Sequence, residues 1–364
     1  MNICIDMRPA LSRPTGVGVY LKNMVRNLAL LDEGNHYLLF SSSWKERFPR
    51  TVHGKNFEVV DLRLPVRFLN FAWNRFSTPR IESLVRRPVD IVHSPTPLVI
   101  PSKHARKITT VMDLYFYFHP EETQNEIKRD YAELVQKHCM ISDAVIAISE
   151  HTKQQLVEHL KVPASRVYTI HLGADRFFSE RVSEEELNRV LAQYGIPQPY
   201  FLFVGAPDPR KNLKLLYQAF ECLNEDVTLV LAGPKREEDS MTNSAAGKII
   251  RTGYVPSENL RALYQGAVAL TFPSFEEGFG LPLLEAMASG IPVVASRIPV
   301  FQEICGDAFL SFGNDSIEEL SEAMRKIIND STLRDQLIAQ GTERIEKFSW
   351  RDTAAKTLEI YNHL

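Results

Sequence analysis

The chain has 364 residues, 44% hydrophobic and 24% charged, with a formal net charge of −3. At about 150 residues per domain this length fits two domains, and the near-neutral balance excludes a polycationic nucleic-acid binder or an acidic tail. No stretch approaches the roughly 18 uncharged apolar residues of a transmembrane helix. Asp6 and Arg8 interrupt MNICIDMRPALSRP, so no signal peptide is expected. Cys4, Cys139, Cys222 and Cys305 are far apart and form no C-x-x-C, which suits a reducing cytoplasm and neither a disulfide framework nor structural zinc. Residues 1–172 carry 23 Lys+Arg against 17 Asp+Glu, net +6, and residues 173–364 carry 19 against 28, net −9. The split reads either as two domains with different surfaces or as a first half that meets an anion.

In chain order, Ile3–Met7, Tyr37–Ser41, Phe57–Asp61, Asp90–His93, Ile108–Met112, Ala144–Ile148 and Tyr168–His171 are short apolar runs of strand length. Helical patterns such as Val17–Leu31 and Asn125–Ile141 lie among them. Alternation of this kind predicts a parallel sheet covered on both faces, a doubly wound domain that binds ligands beyond the carboxyl ends of its strands. A surface helix at Ser183–Tyr194 and the breaker run Gly195–Pro199 follow, so the hinge is expected between Gly173 and Pro199. The theme restarts with strands at Tyr200–Val204, Val227–Ala232, Val268–Phe272 and Pro292–Ala295. Helices are expected at Asn212–Leu223, Pro256–Tyr264, Pro282–Ala288 and Ser316–Ile328, and an amphipathic helix at Ser349–Leu364 closes the chain. The expected domains are residues 1–180, completed by the helix 349–364, and residues 181–348. Two such domains would face each other across a cleft suited to a two-part substrate.

The richest stretch is FPSFEEGFGLPLLEAMASGIPVVAS, from Phe272 to Ser296. Pro282 fits the first helical turn and Gly290 the helix stop. Gly278 and Gly280 leave backbone amides uncovered just ahead of the helix, where its dipole favours an anion such as a diphosphate. Glu277 before the helix and Glu285 eight positions later suit the hydroxyls of a sugar and a ribose. A lone Glu there would be an ordinary dipole contact; the pair, the glycines and the proline together point to a ligand. In FVGAPDPRKNL a strand runs into a Gly/Pro loop, and Arg210 and Lys211 open the next helix. Cations at that end oppose the dipole, so they read either as solvated charges or as partners of an anion. Gly16 and Gly18 allow close backbone approach after the first strand. No G-x-G-x-x-G, Walker loop, D-x-D, G-x-S-x-G or H-E-x-x-H is present, so no cofactor or metal is expected.

Glu277 and Glu285, set within that stretch, resemble the E-x7-E signature of the retaining glycosyltransferase family 4. VGAPDPRKNLKLLYQAF resembles the family's phosphate loop, RTGYVPSENLRALYQGAVALTFPS its nucleotide-side segment, and FSWRDTAAKTLEIY its closing helix. SEHTKQQL and HLGADRFF resemble its interdomain region. The resemblance spans nearly the whole chain and is loosest at residues 40–110. It implies an α/β fold of the GT-B type, two Rossmann-like doubly wound domains with the active site between them, and metal-independent transfer with retention of configuration. By position, Glu277 would hold donor-sugar hydroxyls and Glu285 the ribose. The backbone of Gly278, Phe279 and Gly280 would approach sugar and diphosphate. Arg210 and Lys211 would neutralise the diphosphate, Gly16 would complete the phosphate site, and Val255 would lie near the base.

Two departures stand out. Ala206 replaces the Arg that many members have after the phosphate-loop glycine, and Met112 replaces the His before Asp113 in Thr110–Leu114. Asp113 therefore reads either as an acceptor- or donor-orienting carboxylate or as the cap of a turn. His93 reads as a hydrogen-bonded structural residue rather than a catalytic one. In PVRFLNFAWNRFSTPRIESLVRRP, arginines interleave with Phe68, Phe71, Trp73 and Phe76. That pattern suits a peripheral membrane surface or lipid-phosphate acceptor, or else a core-facing helix with a solvated side.

The expected activity is transfer of a hexose, mannose from GDP-mannose ahead of a UDP-hexose, to a glycan or lipid-linked acceptor in surface polysaccharide assembly. The protein would act in the cytoplasm or peripherally at the inner membrane face, without nucleic acid. A nucleotide-sugar 2-epimerase of similar fold and a non-catalytic nucleotide-sugar-binding subunit are the alternatives.

Overall fold

The computed structural model describes residues 1–11, 16–49, 54–121, 131–234 and 248–364. The chain divides into two compact units, Met1–Gly173 with Trp350–Leu364, and Ala174–Ser349.

The first unit carries strands β1 (Asn2–Asp6), β2 (His36–Ser42), β3 (Phe57–Leu62), β4 (Ile91–Ser94), β5 (Arg106–Val111), β6 (Ala144–Ala147) and β7 (Val167–Thr169). Helices α1 (Gly16–Leu31), α2 (Val66–Phe76), α3 (Ile81–Val85), α4 (Tyr115–Phe118), α5 (Tyr131–Ile141) and α6 (Glu150–Glu158) connect them. All seven strands are parallel, in the order β3-β2-β1-β4-β5-β6-β7. Ile3, Cys4 and Ile5 of β1 are consecutive and all buried, because helices cover both faces of the sheet.

The second unit repeats the plan with α7 (Glu184–Tyr194), α8 (Leu213–Glu221), α9 (Ser257–Gly266), α10 (Leu281–Ala288), α11 (Pro299–Cys305), α12 (Ile317–Asn329) and α13 (Ser331–Ile345). Its strands β8 (Tyr200–Val204), β9 (Thr228–Ala232), β10 (Ile249–Gly253), β11 (Ala269–Phe272), β12 (Val293–Ser296) and β13 (Leu310–Phe312) run parallel in the order β10-β9-β8-β11-β12-β13. The strand order therefore reverses direction between β8 and β11, and in a doubly wound sheet that reversal opens a crevice at the carboxyl ends.

Residues 174–180, expected with the first domain, pack on the second unit. Ala174 N–H donates to Phe348 O at 3.1 Å, and the Gln265 amide donates to Phe178 O and Glu180 O at 3.1 and 2.8 Å. The last helix, α14 (Trp350–His363), belongs to the first unit and packs on α1. His93 fixes it: Nδ1 meets Tyr361 Oη at 2.6 Å, Nε2 meets Thr110 Oγ1 at 2.8 Å, and Thr110 meets Tyr20 Oη at 3.3 Å. Burial pushes the His93 imidazole down to about 3, so it stays neutral. His93 is thus a structural tie between β4, β5 and α14.

β10 and β13 were not expected from the sequence. Both are edge strands whose residues are largely half-exposed, so their apolar runs are short and interrupted. The expected helix Asn125–Ile141 is seen as Tyr131–Ile141, and its first residues lie outside the described ones.

Candidate active site

Three loops of the second unit carry the expected residues. The first leaves β8 and holds Gly205 to Asn212. Asp208 Oδ1 accepts from Arg210 N–H at 3.2 Å and caps a single 3-10 turn, Pro209–Lys211. Asn212 then takes a left-handed conformation, φ 51°, and starts α8. This tight double turn folds Lys211 back over the strand ends. Its Nζ lies 4.5 Å from the centre of the Phe272 ring, and a Cβ on Gly205 would sit 3.1 Å from that side chain. Close approach also explains Gly233 at the end of β9, where a Cβ would stand 2.0 Å from Gly205 O.

The second loop joins β11 to α10. Phe275 N–H donates to Arg210 O at 2.9 Å and locks the two loops together. Lys211 Nζ donates to Glu277 Oε1 at 3.0 Å, Ser274 Oγ donates to the same oxygen at 3.2 Å, and Arg210 Nη1 stands 3.9 Å from Oε2. Burial alone would raise the Glu277 carboxyl, but the Lys211 and Arg210 charges and the two hydrogen bonds outweigh it and hold the group below its usual range. Glu277 is therefore an anion with two cations beside it. Gly280, with φ 98°, turns the chain into α10, and a Cβ there would press on the Phe301 ring at 3.1 Å. No side chain caps α10. Phe279 is buried edge-on to Phe348, with ring centres 5.9 Å apart.

Glu285 lies on α10 and is partly buried. Tyr264 Oη on α9 donates to its Oε2 at 2.8 Å. Burial raises the Glu285 carboxyl to about 7, with Tyr264 lowering it and the Asp175 charge raising it. The two glutamates thus differ: one is ionised by its cations, the other is poised near neutrality. The third loop follows β10, where Val255 is buried beyond Gly253 and the exposed Tyr254.

Arg210, Lys211 and Glu277 are in mutual contact where β8 and β11 adjoin, and Gly278, Phe279, Gly280 and Glu285 follow on the same loop and helix. Gly16 and Asp113 lie in the first unit. Gly16 opens α1, is exposed, and has none of the described residues within 4 Å of where its Cβ would be. Asp113 follows β5, and its Oδ1 accepts from Tyr115 N–H at 3.2 Å, a turn-capping contact. Sequence reasoning missed Ser274, Phe272 and Tyr264. Ser274 stands three positions before Glu277, but Tyr264 reaches Glu285 from another helix and left no local signal.

The chain matches the model for glycosyl transferases group 1 over residues 188–344 and that for glycosyltransferase family 4 over residues 14–176. It is 28% identical to the O-antigen chain mannosyltransferase B of Escherichia coli, with 100% of both chains covered. Sucrose-phosphate synthase from Thermosynechococcus elongatus superposes with a TM-score of 0.82 at 19% identity, covering 100% of this chain and 98% of that one. Anabaena HepE in complex with UDP-glucose does so with a TM-score of 0.74 at 15% identity, with 100% of both chains covered. One family model falls on each unit, and the sheets match those of the solved structures; the chain belongs to the group 1, family 4 glycosyltransferases and has the GT-B fold.

Proposed function

We propose that the protein moves a hexose from a nucleotide sugar to a glycan or lipid-linked acceptor during surface polysaccharide assembly, with retention of configuration and without a metal. The observation that carries this reading is the Arg210–Lys211–Glu277 cluster at the strand-order reversal, next to the uncapped N-terminus of α10. A diphosphate fits there: two cations and the positive helix end balance its charge, and the glycine backbone admits it closely. Breaking the bond to the anomeric carbon puts negative charge on the leaving diphosphate, so the same fixed groups stabilise the transition state more than the ground state. Arg210 and Lys211 do the charge work that a divalent cation does elsewhere.

Glu277 then has two tasks. It holds Lys211 in place, and its free lone pairs accept from the sugar hydroxyls. Glu285 accepts from the ribose while Tyr264 holds it, and the buried Val255 flanks the base. The acceptor oxygen attacks from the face the diphosphate leaves and passes its proton to the departing phosphate oxygen. The full-length similarity to a mannosyltransferase favours mannose from GDP-mannose over a UDP-hexose, although a similar structure holds UDP-glucose. The free cysteines Cys4, Cys139, Cys222 and Cys305 suit a cytoplasmic setting.

The experiment is a donor panel. Labelled GDP-mannose and UDP-hexoses are incubated with the protein, with and without lipid-linked glycan. Acceptor-stimulated release of free nucleotide from GDP-mannose supports the proposal. Isomerised nucleotide sugar, or binding without turnover, would contradict it.

A further inference from the structure

Helix α2 has two unlike faces. Leu69, Ala72 and Trp73 are buried against the sheet. Arg8 clamps that side. Its Nη1 donates to Asn70 Oδ1 at 2.9 Å, and its guanidinium lies 4.5 Å from the Trp73 ring centre. Arg8 is itself held by Asp6, through Nε at 2.8 Å and Nη2 at 2.7 Å. The helix is therefore docked firmly, and its outer face is not a product of loose packing. On that face Phe68, Phe71 and Phe76 are 60%, 57% and 63% exposed. Trp44 is 73% exposed just past the end of β2, where Ser43 N–H donates to Leu62 O and Ser42 Oγ to Leu64 O. That pairing puts Trp44 and the lead-in to α2 at the same carboxyl edge of the sheet. Among the described residues, every exposed Phe and Trp lies in this one region.

The charges on and beside α2 are mainly positive, although Glu46 is exposed near Trp44 and Asp61 pairs with Arg47 at 2.8 Å. α2 contains no Asp or Glu, and Arg63, Arg67, Arg75 and Arg80 are exposed in and beside it. Among the described residues no acid lies within ion-pair distance of Arg63, Arg75 or Arg80. A water-facing helix has no use for three aromatic rings, and a protein partner would have to supply both an apolar groove and a ring of acids. An anionic lipid surface supplies both at once, with an acyl boundary for the rings and phosphates for the guanidinium groups. We propose that the outer face of α2, with Trp44, is the surface by which this protein docks on an anionic lipid bilayer.

The test is flotation of the full chain with vesicles of equimolar phosphatidylcholine and phosphatidylglycerol, and with phosphatidylcholine alone. The wild type should float with the anionic vesicles, more weakly in high salt, and stay behind with the neutral ones. Trp44 fluorescence should shift to the blue and be quenched by brominated acyl chains, since the other two tryptophans, Trp73 and Trp350, are buried. The double variant Phe68→Ser/Phe71→Ser should bind the anionic vesicles about tenfold or more weakly, with an unchanged melting temperature because both rings are exposed. Equal binding of wild type and variant, or no flotation of the wild type, would overturn the assignment. So would a dimer in light scattering that the variant abolishes, since the face would then be a contact between copies.

Discussion

Glu285 offers a test in which stability and function move in opposite directions. Its carboxyl is raised from 4.5 to about 7 in the folded protein. A raised acid binds its proton more tightly when folded, so its ionisation opposes folding: the group is stability-neutral below about 4.5 and increasingly costly as pH climbs to 7 and above. Between those values each unit is worth about 1.4 kcal/mol, so the cost at pH 8 is about 3 kcal/mol and at pH 5 about 1 kcal/mol. Glu285→Gln keeps the volume and the acceptor for Tyr264 but cannot ionise. Relative to wild type, the variant should therefore gain about 2 kcal/mol between pH 5 and pH 8, seen as a melting-temperature gap that widens by about 4–8 °C. The assay is ligand-free thermal and urea unfolding at the two pH values. Nucleotide-sugar affinity should fall in the same variant, because a carboxylate accepting from ribose hydroxyls is lost. A stability gap that does not change with pH would refute the burial argument for this residue.

Four other outcomes are expected. Glu277→Ala and Lys211→Ala should each reduce turnover by about 10²-fold or more in steady-state assays with a saturating donor, the scale of one lost transition-state contact. Gly280→Ala forces a side chain onto φ 98° and against Phe301 at 3.1 Å, and should cost about 1–3 kcal/mol in urea unfolding. His93→Leu strips Tyr361 and Thr110 of a buried partner and should cost about 1–3 kcal/mol at pH 7.5. Because the folded His93 is depressed to about 3, its neutral form opposes folding as pH drops below 6.5. The wild-type advantage should therefore shrink by about 2 kcal/mol from pH 7.5 to pH 5 in the same unfolding assay.

Much of the architecture was legible because it rests on local signals. Consecutive apolar residues such as Ile3–Ile5 and Tyr200–Phe203 mark strands buried on both faces, and the breaker run Gly195–Pro199 marks the end of α7. Glu277, Gly278, Gly280 and Pro282 lie within six positions of one another, so their shared loop and helix start could be read directly. What crosses the fold could not. The salt bridge between Lys211 and Glu277 joins residues 66 apart in sequence, and its existence depends on β8 and β11 being neighbours. Tyr264 meets Glu285 only because α9 and α10 pack together. The edge strands β10 and β13 and the placement of residues 174–180 were hidden for the same reason: half-exposed segments carry weak patterns, and tertiary hydrogen bonds decide where they go. Met112 and Ala206 depart from the family pattern, and nothing in the structure explains either.

The most direct measurement is the position of a nucleoside diphosphate sugar in a crystal of the full chain. The account predicts the diphosphate within hydrogen-bonding distance of Lys211 Nζ and the amides around Gly278 and Gly280, with Glu277 on the sugar and Glu285 on the ribose. A donor bound away from the β8–β11 junction, or bound there with both glutamates turned from it, would contradict the account.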